Sequence, residues 1–162
     1  MIKVVPFEPE HIIGMDPLMD DAYTRTLCNN KEYLAALKKL GPAFSGFTKD
    51  GKCVGAAGVR QINAKAYEGW ALLAKDSKKQ IKAILQSIDL FIKNYFEFDA
   101  ADRFQATVNL EYVQGHRFAR LLKFQPEGIL HNYENGKDYM MYARVNTWLE
   151  LQQHLQLVAQ LP

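Results

Sequence analysis

Apolar residues recur every three or four positions in some segments and every second position in others, so the chain is predicted to mix helices and strands. The clearest helical pattern follows residue 80 and places one continuous apolar stripe on one face. That stripe consists of Ile81, Ile84, Leu85, Ile88, Phe91, Ile92 and Tyr95. An earlier helix is predicted within residues 29–41, where Asn30 can act as N-cap and Gly41 can end the helix. Its inward positions are Leu34 and Leu37, with Leu40 as a third candidate.

Strands are predicted where apolar residues alternate with polar ones or run continuously. The predicted strands cover Met1–Val5, Ala43–Lys49, Lys52–Ile62, residues 67–74, residues 103–110 and a final hairpin within residues 126–145. Asp50-Gly51 and Asn135-Gly136 each separate two such runs, and both dipeptides favour tight hairpin turns. Residues 6–21 contain three prolines and a glycine, so we expect turns or a short helix there.

A late helix is predicted over residues 112–124, which read "YVQGHRFARLLKF". Its expected buried positions are Val113, Phe118, Leu121 and Leu122. The predicted order contains a strand, the long helix and a further strand, which implies one parallel βαβ unit within an otherwise antiparallel sheet. Ligands in such sheets bind beyond the carboxyl ends of the strands, at a helix N-terminus.

Composition narrows the possible functions. The 162 residues are 48% apolar and 23% charged, which is typical of one globular domain. Twenty basic residues balance 18 acidic ones, too evenly for an extended nucleic-acid-binding surface. The two cysteines, Cys28 and Cys53, have no metal-ligand spacing, and no segment matches a signal peptide or a membrane span. We therefore expect a cytoplasmic protein that binds neither metal nor membrane.

The C-terminal residues 146–162 form a separate pattern. Thr147 and Glu150 make a capping box, and an apolar stripe runs through the residues that follow. The stripe consists of Trp148, Leu151, Leu155, Val158 and Leu161. The pattern predicts an amphipathic helix that packs either on the domain formed by residues 1–145 or on a partner subunit, as in a homodimer.

Residues 1–145 resemble the GNAT superfamily of acyl-CoA-dependent N-acyltransferases. The resemblance rests on the order of elements and on two segments, "GKCVGAAGVRQI…YEGWALLAKD" (residues 51–76) and "NLEYVQGHRFARLLKFQPEGIL" (residues 109–130). The segment "EGWALLAKD" is also similar to small GNAT-like proteins of tailed bacteriophages, which implies the host cytoplasm for a phage-encoded protein. The implied fold class is α/β (α+β), with a mixed, mostly antiparallel central sheet flanked by helices and an extra C-terminal amphipathic helix.

The resemblance also implies acetyl-CoA as the acyl donor. In the family a glycine-rich loop at the start of the long helix holds the CoA pyrophosphate, whereas this chain has no glycine between Gly69 and Gly115. By resemblance, the backbone of Leu72, Leu73 and Ala74 would line the pantetheine arm. The other residues expected to contact the donor are Lys75, Ser77, Lys78, Lys79, Gln80, Asn109, Arg117 and Arg120.

The lysines before the long helix support an anion site on physical grounds as well. Positive side chains at a helix N-terminus oppose the helix dipole, at ~0.3–1 kcal/mol per charge. A bound anion would compensate them, because the helix start offers free N–H groups and Ser77 can act as N-cap. The other interpretation is a solvated basic turn beside Asp76, and Arg117 and Arg120 can likewise be the wet face of the late helix.

Acyl transfer to an amine needs a base for the amine, polarisation of the thioester carbonyl and a proton for the leaving thiolate. By resemblance Glu68 is the candidate base, although it can also be an exposed charge on the strand. The family's tyrosine acid falls on Ala119, so Tyr112 is the candidate replacement. His116 can act as acid or base, because histidine titrates near neutral pH, or it can be a packing residue.

The predicted function is therefore transfer of an acetyl group from acetyl-CoA to a primary amine of unknown identity. The alternative is a catalytically inactive protein of the same fold that serves as a binding or assembly module. The altered glycine loop and the alanine at the tyrosine position favour that alternative.

Overall fold

The computed structural model describes residues 1–146, so the predicted C-terminal helix and the homodimer that depends on it lie outside the described residues. Seven strands, four α-helices and two short 3-10 turns follow one another along these residues. They are β1 Lys3–Pro6, a 3-10 turn Pro9–His11, α1 Ala22–Cys28, α2 Lys31–Leu40, β2 Ala43–Phe47, β3 Cys53–Asn63, β4 Ala66–Leu73, a 3-10 turn Lys75–Gln80, α3 Ile81–Glu97, β5 Arg103–Asn109, α4 Val113–Leu121, β6 Gln125–Glu134 and β7 Lys137–Val145.

The strands form one sheet in the order β1-β2-β3-β4-β5-β7-β6. β4 and β5 run parallel, joined by α3, and the other neighbouring strands pair antiparallel. The predicted single βαβ unit is confirmed. Both predicted hairpin turns are also present: Gly51 has φ 81°, and Asn135 and Gly136 have φ 53° and 72°, the two positive values that a type I′ turn requires.

A hydrophobic core covers each face of the sheet, because successive side chains of a strand point to opposite faces. One core gathers Val59, Ile92, Ala101, Phe104, Ala119, Leu122, Phe124 and Tyr142, with the apolar stripe of α3 packed against it. The other gathers Phe7, Ile12, Cys28, Leu34, Leu37 and Ala56. The stripe of α3 was predicted correctly, because its 3–4 spacing matches one buried helix face.

The two early helices differ in how well the sequence pattern predicts them. α2 begins where predicted, with Asn30 Oδ1 accepting the N–H of Tyr33 at 3.0 Å, and Leu34 and Leu37 are buried. Leu40 is 44% exposed, so it is not an inward position. α1 was not predicted, because only Cys28 of its seven residues is buried and no apolar period marks it.

The late helix α4 corrects two expected burials. Val113 and Leu121 are 57% and 63% exposed, whereas Ala119 and Leu122 are buried. The helix ends in a Schellman motif, in which the N–H of Phe124 bonds to the carbonyl of Ala119 at 3.0 Å and the N–H of Lys123 bonds to that of Arg120 at 2.9 Å. This turn brings Ala119 and Phe124 together against the sheet and leaves Leu121 facing water.

Candidate functional site

The two parallel strands at the centre of the sheet separate along their length. Residues 66–68 of β4 pair with residues 103–105 of β5. β4 then continues to Leu73 and β5 to Asn109 with no further pairing between them. We call the paired part the closed end and the part beyond Glu68 and Gln105 the open end. A gap at the carboxyl ends of parallel strands is where ligands bind in sheets of this kind.

Two clefts lie at the open end. The first, of about 310 Å³, is lined by residues 18–21 on one side and by Asn109, Glu111, Tyr112 and Gln114 on the other. The second, of about 480 Å³, lies between residues 109–111 and the turn of the last hairpin at residues 136–138. Asn109 borders both clefts and is only 9% exposed. Its Oδ1 accepts the N–H of Glu111 at 2.9 Å, and this bond shapes the turn into α4.

The first cleft is acidic. Asp20, Asp21 and Glu111 line it, and no lysine or arginine does. Asp21 Oδ1 accepts the N–H of Thr24 at 2.8 Å as the N-cap of α1, so its position is fixed by the helix start. Glu111 pairs with Lys137 at 3.0 Å across the second cleft. Asp20 in turn pairs with Lys75 and with Arg25, so among the described residues Asp21 is the lining carboxylate without an ion pair.

Tyr112 is the predicted catalytic residue that the structure places against the first cleft. Its ring lies on the backbone of Gly115, where an added Cβ would sit 2.5 Å from the ring. Burial, together with the negative charge of Asp21, raises the pKa of the Tyr112 phenol. A tyrosine phenol is protonated at neutral pH in any case, because its ordinary pKa is about 10, and the upward shift makes Tyr112 a weaker acid.

Glu68 lies at the last paired position of β4, where the open end begins. Only 13% of its side chain is exposed, and the carboxylate forms an ion pair with Arg60, its neighbour across β3 and β4. Glu68 is therefore a shielded, paired carboxylate at the boundary of the gap.

His116 has both ring nitrogens engaged. Nδ1 lies 2.9 Å from the hydroxyl of the buried Tyr142, and Nε2 lies 3.2 Å from the carbonyl oxygen of Leu110. Because a carbonyl can only accept, Nε2 carries the proton, and in the neutral ring the Tyr142 hydroxyl donates to Nδ1. The ring thus ties α4 to β7, and His116 lines neither cleft.

The basic residues before α3 lie in a 3-10 turn that precedes the helix, whereas the sequence predicted that they form its first turn. α3 begins at Ile81 with Gln80 at the N-cap position, so the prediction of Ser77 as N-cap is wrong. Ser77 lies within the 3-10 turn, fully buried, and its Oγ has no hydrogen-bond partner among the described residues. Lys78 and Lys79 are exposed beside it, where a negative ligand can reach them.

The backbone expected to line a pantetheine arm is partly engaged within the chain. The carbonyl of Leu73 accepts the N–H of Leu18 at 2.7 Å, and the N–H of Ala74 donates to Val54 at 3.0 Å. Leu72 packs against the core around Phe7. Lys75 pairs with Asp20 at 2.9 Å and with Asp16 at 3.4 Å.

The two arginines of α4, Arg117 and Arg120, are exposed and line neither cleft. Residues 18–21, within the segment predicted to hold turns or a short helix, form one wall of the first cleft, and Pro17 just before them pairs with Ala74 at the end of β4. The signal available in the sequence was Asp21 as a helix N-cap, followed by a helix with no apolar period.

In residues 1–146 no group of three or more His, Cys, Asp or Glu side chains is placed to hold a metal ion, and no helix is long and apolar enough to span a bilayer.

The fold is that of the GNAT acetyltransferases. The chain is similar to a putative acetyltransferase from Acinetobacter baylyi, with a TM-score of 0.69 and 16% identity over 90% of this chain and 93% of that one. It is also similar to the microcin C7 self-immunity acetyltransferase solved with acetyl-CoA and AMP (TM-score 0.64, 18% identity, 75% of this chain and 74% of that one). A third similar structure is the ribosomal L7/L12 α-N-protein acetyltransferase RimL in complex with coenzyme A (TM-score 0.65, 16% identity, 89% and 93%). Neither a protein-family model nor a curated protein matches the sequence.

Proposed function

We propose that this protein transfers an acetyl group from acetyl-CoA to a primary amine. The observation that carries the proposal is the open end of β4 and β5, where the central strands separate and Tyr112 lines a cleft at the end of the gap. The structural neighbours with this fold are N-acetyltransferases, and two of them are complexes with acetyl-CoA or coenzyme A.

The residues around the open end fit such a donor. Its phosphates are anionic, and Lys75, Lys78 and Lys79 cluster in the turn that follows β4. The buried Oγ of Ser77 in the same turn has no hydrogen-bond partner, as expected of a group that a small local shift could offer to a ligand. Acetyl-CoA supplies the acyl group as a thioester.

The chain supplies the proton transfers of the reaction. The amine nitrogen forms a bond to the acyl carbon while the carbon–sulfur bond breaks, so the amine loses a proton and the thiolate gains one. Tyr112 is the proton donor, because its phenol is protonated at neutral pH and the residue lines the first cleft. Glu68 is the proton acceptor, which requires that Arg60 release the carboxylate oxygen it holds. Asp21, the lining carboxylate of the first cleft without an ion pair among the described residues, favours an acceptor that carries a positive charge.

Calorimetric titration with acetyl-CoA, with desulfo-CoA and ADP as comparisons, tests the proposal first. We expect micromolar binding of acetyl-CoA, followed by release of free thiol when a suitable amine is added. No binding at millimolar acetyl-CoA would contradict the proposal and favour the alternative, a catalytically inactive protein of the same fold.

The role of the lysines can be tested separately. Lys78→Glu combined with Lys79→Glu reverses two charges beside the gap, and we expect acetyl-CoA affinity to fall about tenfold or more, with a weaker dependence of the remaining affinity on salt. Lys31→Glu combined with Lys39→Glu makes the same change of charge on α2 and should leave affinity unchanged. Equal affinity in the two variants would assign Lys78 and Lys79 to the solvated surface.

A further inference from the structure

One segment of the chain already pairs with the end of β4. We call Asp16–Asp21 the strap. Its Leu18 N–H donates to the carbonyl of Leu73 at 2.7 Å, and the N–H of Lys75 donates to the carbonyl of Asp16 at 2.9 Å. Pro17, fully buried between these two bonds, forms an antiparallel bridge with Ala74.

The strap lies on the side of β4 that faces the gap. The N–H of Ala74 points to β3, since it donates to Val54, and Gly55 lies opposite Leu73 in the same ladder. In an antiparallel pair, successive residues direct their backbone groups alternately to the two sides. The carbonyl of Leu73 therefore points away from β3, into the space that β5 leaves at the open end, and Leu18 fills its hydrogen-bonding position.

The strap also engages the basic side chains of this region. Asp16 and Asp20 both pair with Lys75, and both pair with Arg25. The side chains of all four residues are between 45% and 55% exposed. Exposed ion pairs are individually weak. A ligand with several phosphate charges can therefore compete for the same cations.

We propose that the strap is an autoinhibitory contact that acetyl-CoA must displace. In this structure Asp16 and Asp20 take the place of donor phosphates on Lys75, and Leu18 takes the place of the donor's amide on Leu73. The proposal rests on the proposed function, because the competing ligand is the acyl donor. The strap also forms one wall of the acidic first cleft, so its displacement by the donor remodels that cleft. Donor binding thus precedes productive binding of the amine.

The first test measures affinity for acetyl-CoA in the full-length protein. Asp16→Asn combined with Asp20→Asn frees Lys75, and we expect about tenfold tighter binding. Asp99→Asn combined with Asp102→Asn is the matched control, since it removes two carboxylates that act on one lysine, Lys65, at the closed end and not on Lys75, and we expect a change below about threefold. Equal tightening in both variants would indicate a general charge effect and overturn the proposal, as would weaker binding in the Asp16/Asp20 variant.

The second test follows the strap directly in the wild-type chain. Hydrogen exchange at the Leu18 amide, measured by NMR with and without saturating acetyl-CoA, should become about tenfold faster or more when the donor is bound. An amide that stays protected in the complex would overturn the strap displacement while leaving the proposed function intact. If neither the wild type nor the Asp16/Asp20 variant binds acetyl-CoA, the proposed function fails and the strap proposal fails with it.

Discussion

The closed and open ends of the β4–β5 pair are built from the same two strands and differ in almost every physical property. At the closed end the backbones are hydrogen-bonded, and Phe104 packs against Tyr67 and Phe96, with ring centroids 5.5 Å apart in each case. At the open end the ladder stops and two clefts appear, lined mostly by polar and charged residues together with Tyr112.

This difference shows how a single pair of strands can serve both stability and function. Backbone groups that pair across the closed end contribute to folding, whereas those at the open end remain available for a ligand or for another segment of the chain. The bond from Leu18 to Leu73 is such a substitute. Substitutions at the closed end should therefore change the free energy of unfolding, and substitutions at the open end should change binding or turnover.

The largest effect is expected for Phe104→Ala at the closed end. Phe104 is 1% exposed and contacts four other aromatic rings, so its truncation leaves a cavity and should cost about 3–5 kcal/mol of unfolding free energy. Urea unfolding measures the loss. Phe98→Ala, at a site 78% exposed, is the control and should change stability by less than about 0.5 kcal/mol. Similar losses in the two variants would mean that the aromatic packing is not what stabilises the closed end.

Glu68→Gln, at the boundary of the two ends, should lower turnover about 100-fold or more because the amide cannot accept the proton of the amine. Affinity for acetyl-CoA should stay near the wild-type value, as measured by calorimetry. Glu127→Gln is the matched control, since Glu127 is also paired with an arginine, Arg103, but lies on the edge strand β6, away from the gap between β4 and β5. Unchanged turnover in the Glu68 variant would remove Glu68 from the proposed mechanism.

Tyr112→Phe removes the proposed proton donor at the open end and should lower turnover about tenfold to 100-fold without a change in unfolding free energy. Steady-state kinetics with saturating acetyl-CoA measure the effect. Tyr133→Phe removes an exposed hydroxyl from the last hairpin and should be neutral. If both variants keep full activity, another group or water protonates the leaving thiolate.

The closed end was the more predictable of the two from sequence. Its strands and the α3 stripe packed beside them follow from local periodicity, which acts within a few residues. The strap was not predictable, because Leu18 and Leu73 are far apart in the chain and residues 16–18 have no strand pattern. The same holds for His116, whose partners Tyr142 and Leu110 come from two other segments. Tyr112, Glu68 and the lysines were candidates by resemblance, and their roles stay predictions.

A half-buried ion pair beside the closed end makes its stability depend on pH. The carboxylate of Asp89 bonds to Arg144, which is 10% exposed, and to Lys93. Burial alone would raise the pKa of Asp89, but the bonds to Lys93 and Arg144 outweigh it and hold the pKa below its usual range. A lowered pKa means that the stabilisation is fully present above the unfolded pKa of ~3.9 and is lost as the pH falls through the folded pKa.

Asp89→Asn should therefore cost about 2 kcal/mol at neutral pH, since it leaves Arg144 buried with an incomplete partner. The difference from the wild type should shrink below about pH 4, where the wild-type carboxylate also loses its charge. Urea unfolding at a series of pH values measures both effects. Asp99→Asn breaks an exposed pair with Lys65 and should be nearly neutral at every pH. A difference that does not vary with pH would contradict the ionic origin of the stabilisation.

The smallest effect is expected at Lys123, at the end of α4. The carbonyl of the preceding residue, Leu122, accepts a hydrogen bond from Arg144. Lys123 adopts φ 67° as the left-handed residue of the Schellman motif, a conformation that costs an L-residue about 1 kcal/mol and glycine nearly nothing. Lys123→Gly removes that cost but loses about 0.5–1 kcal/mol through the greater freedom of the unfolded chain, so a net gain of at most about 0.5 kcal/mol is expected. Lys123→Ala removes the charge and keeps the strained conformation, so it should give no gain. A thermal midpoint raised by about 1–2 °C in the glycine variant alone would confirm that the backbone of this turn, rather than the lysine side chain, limits stability.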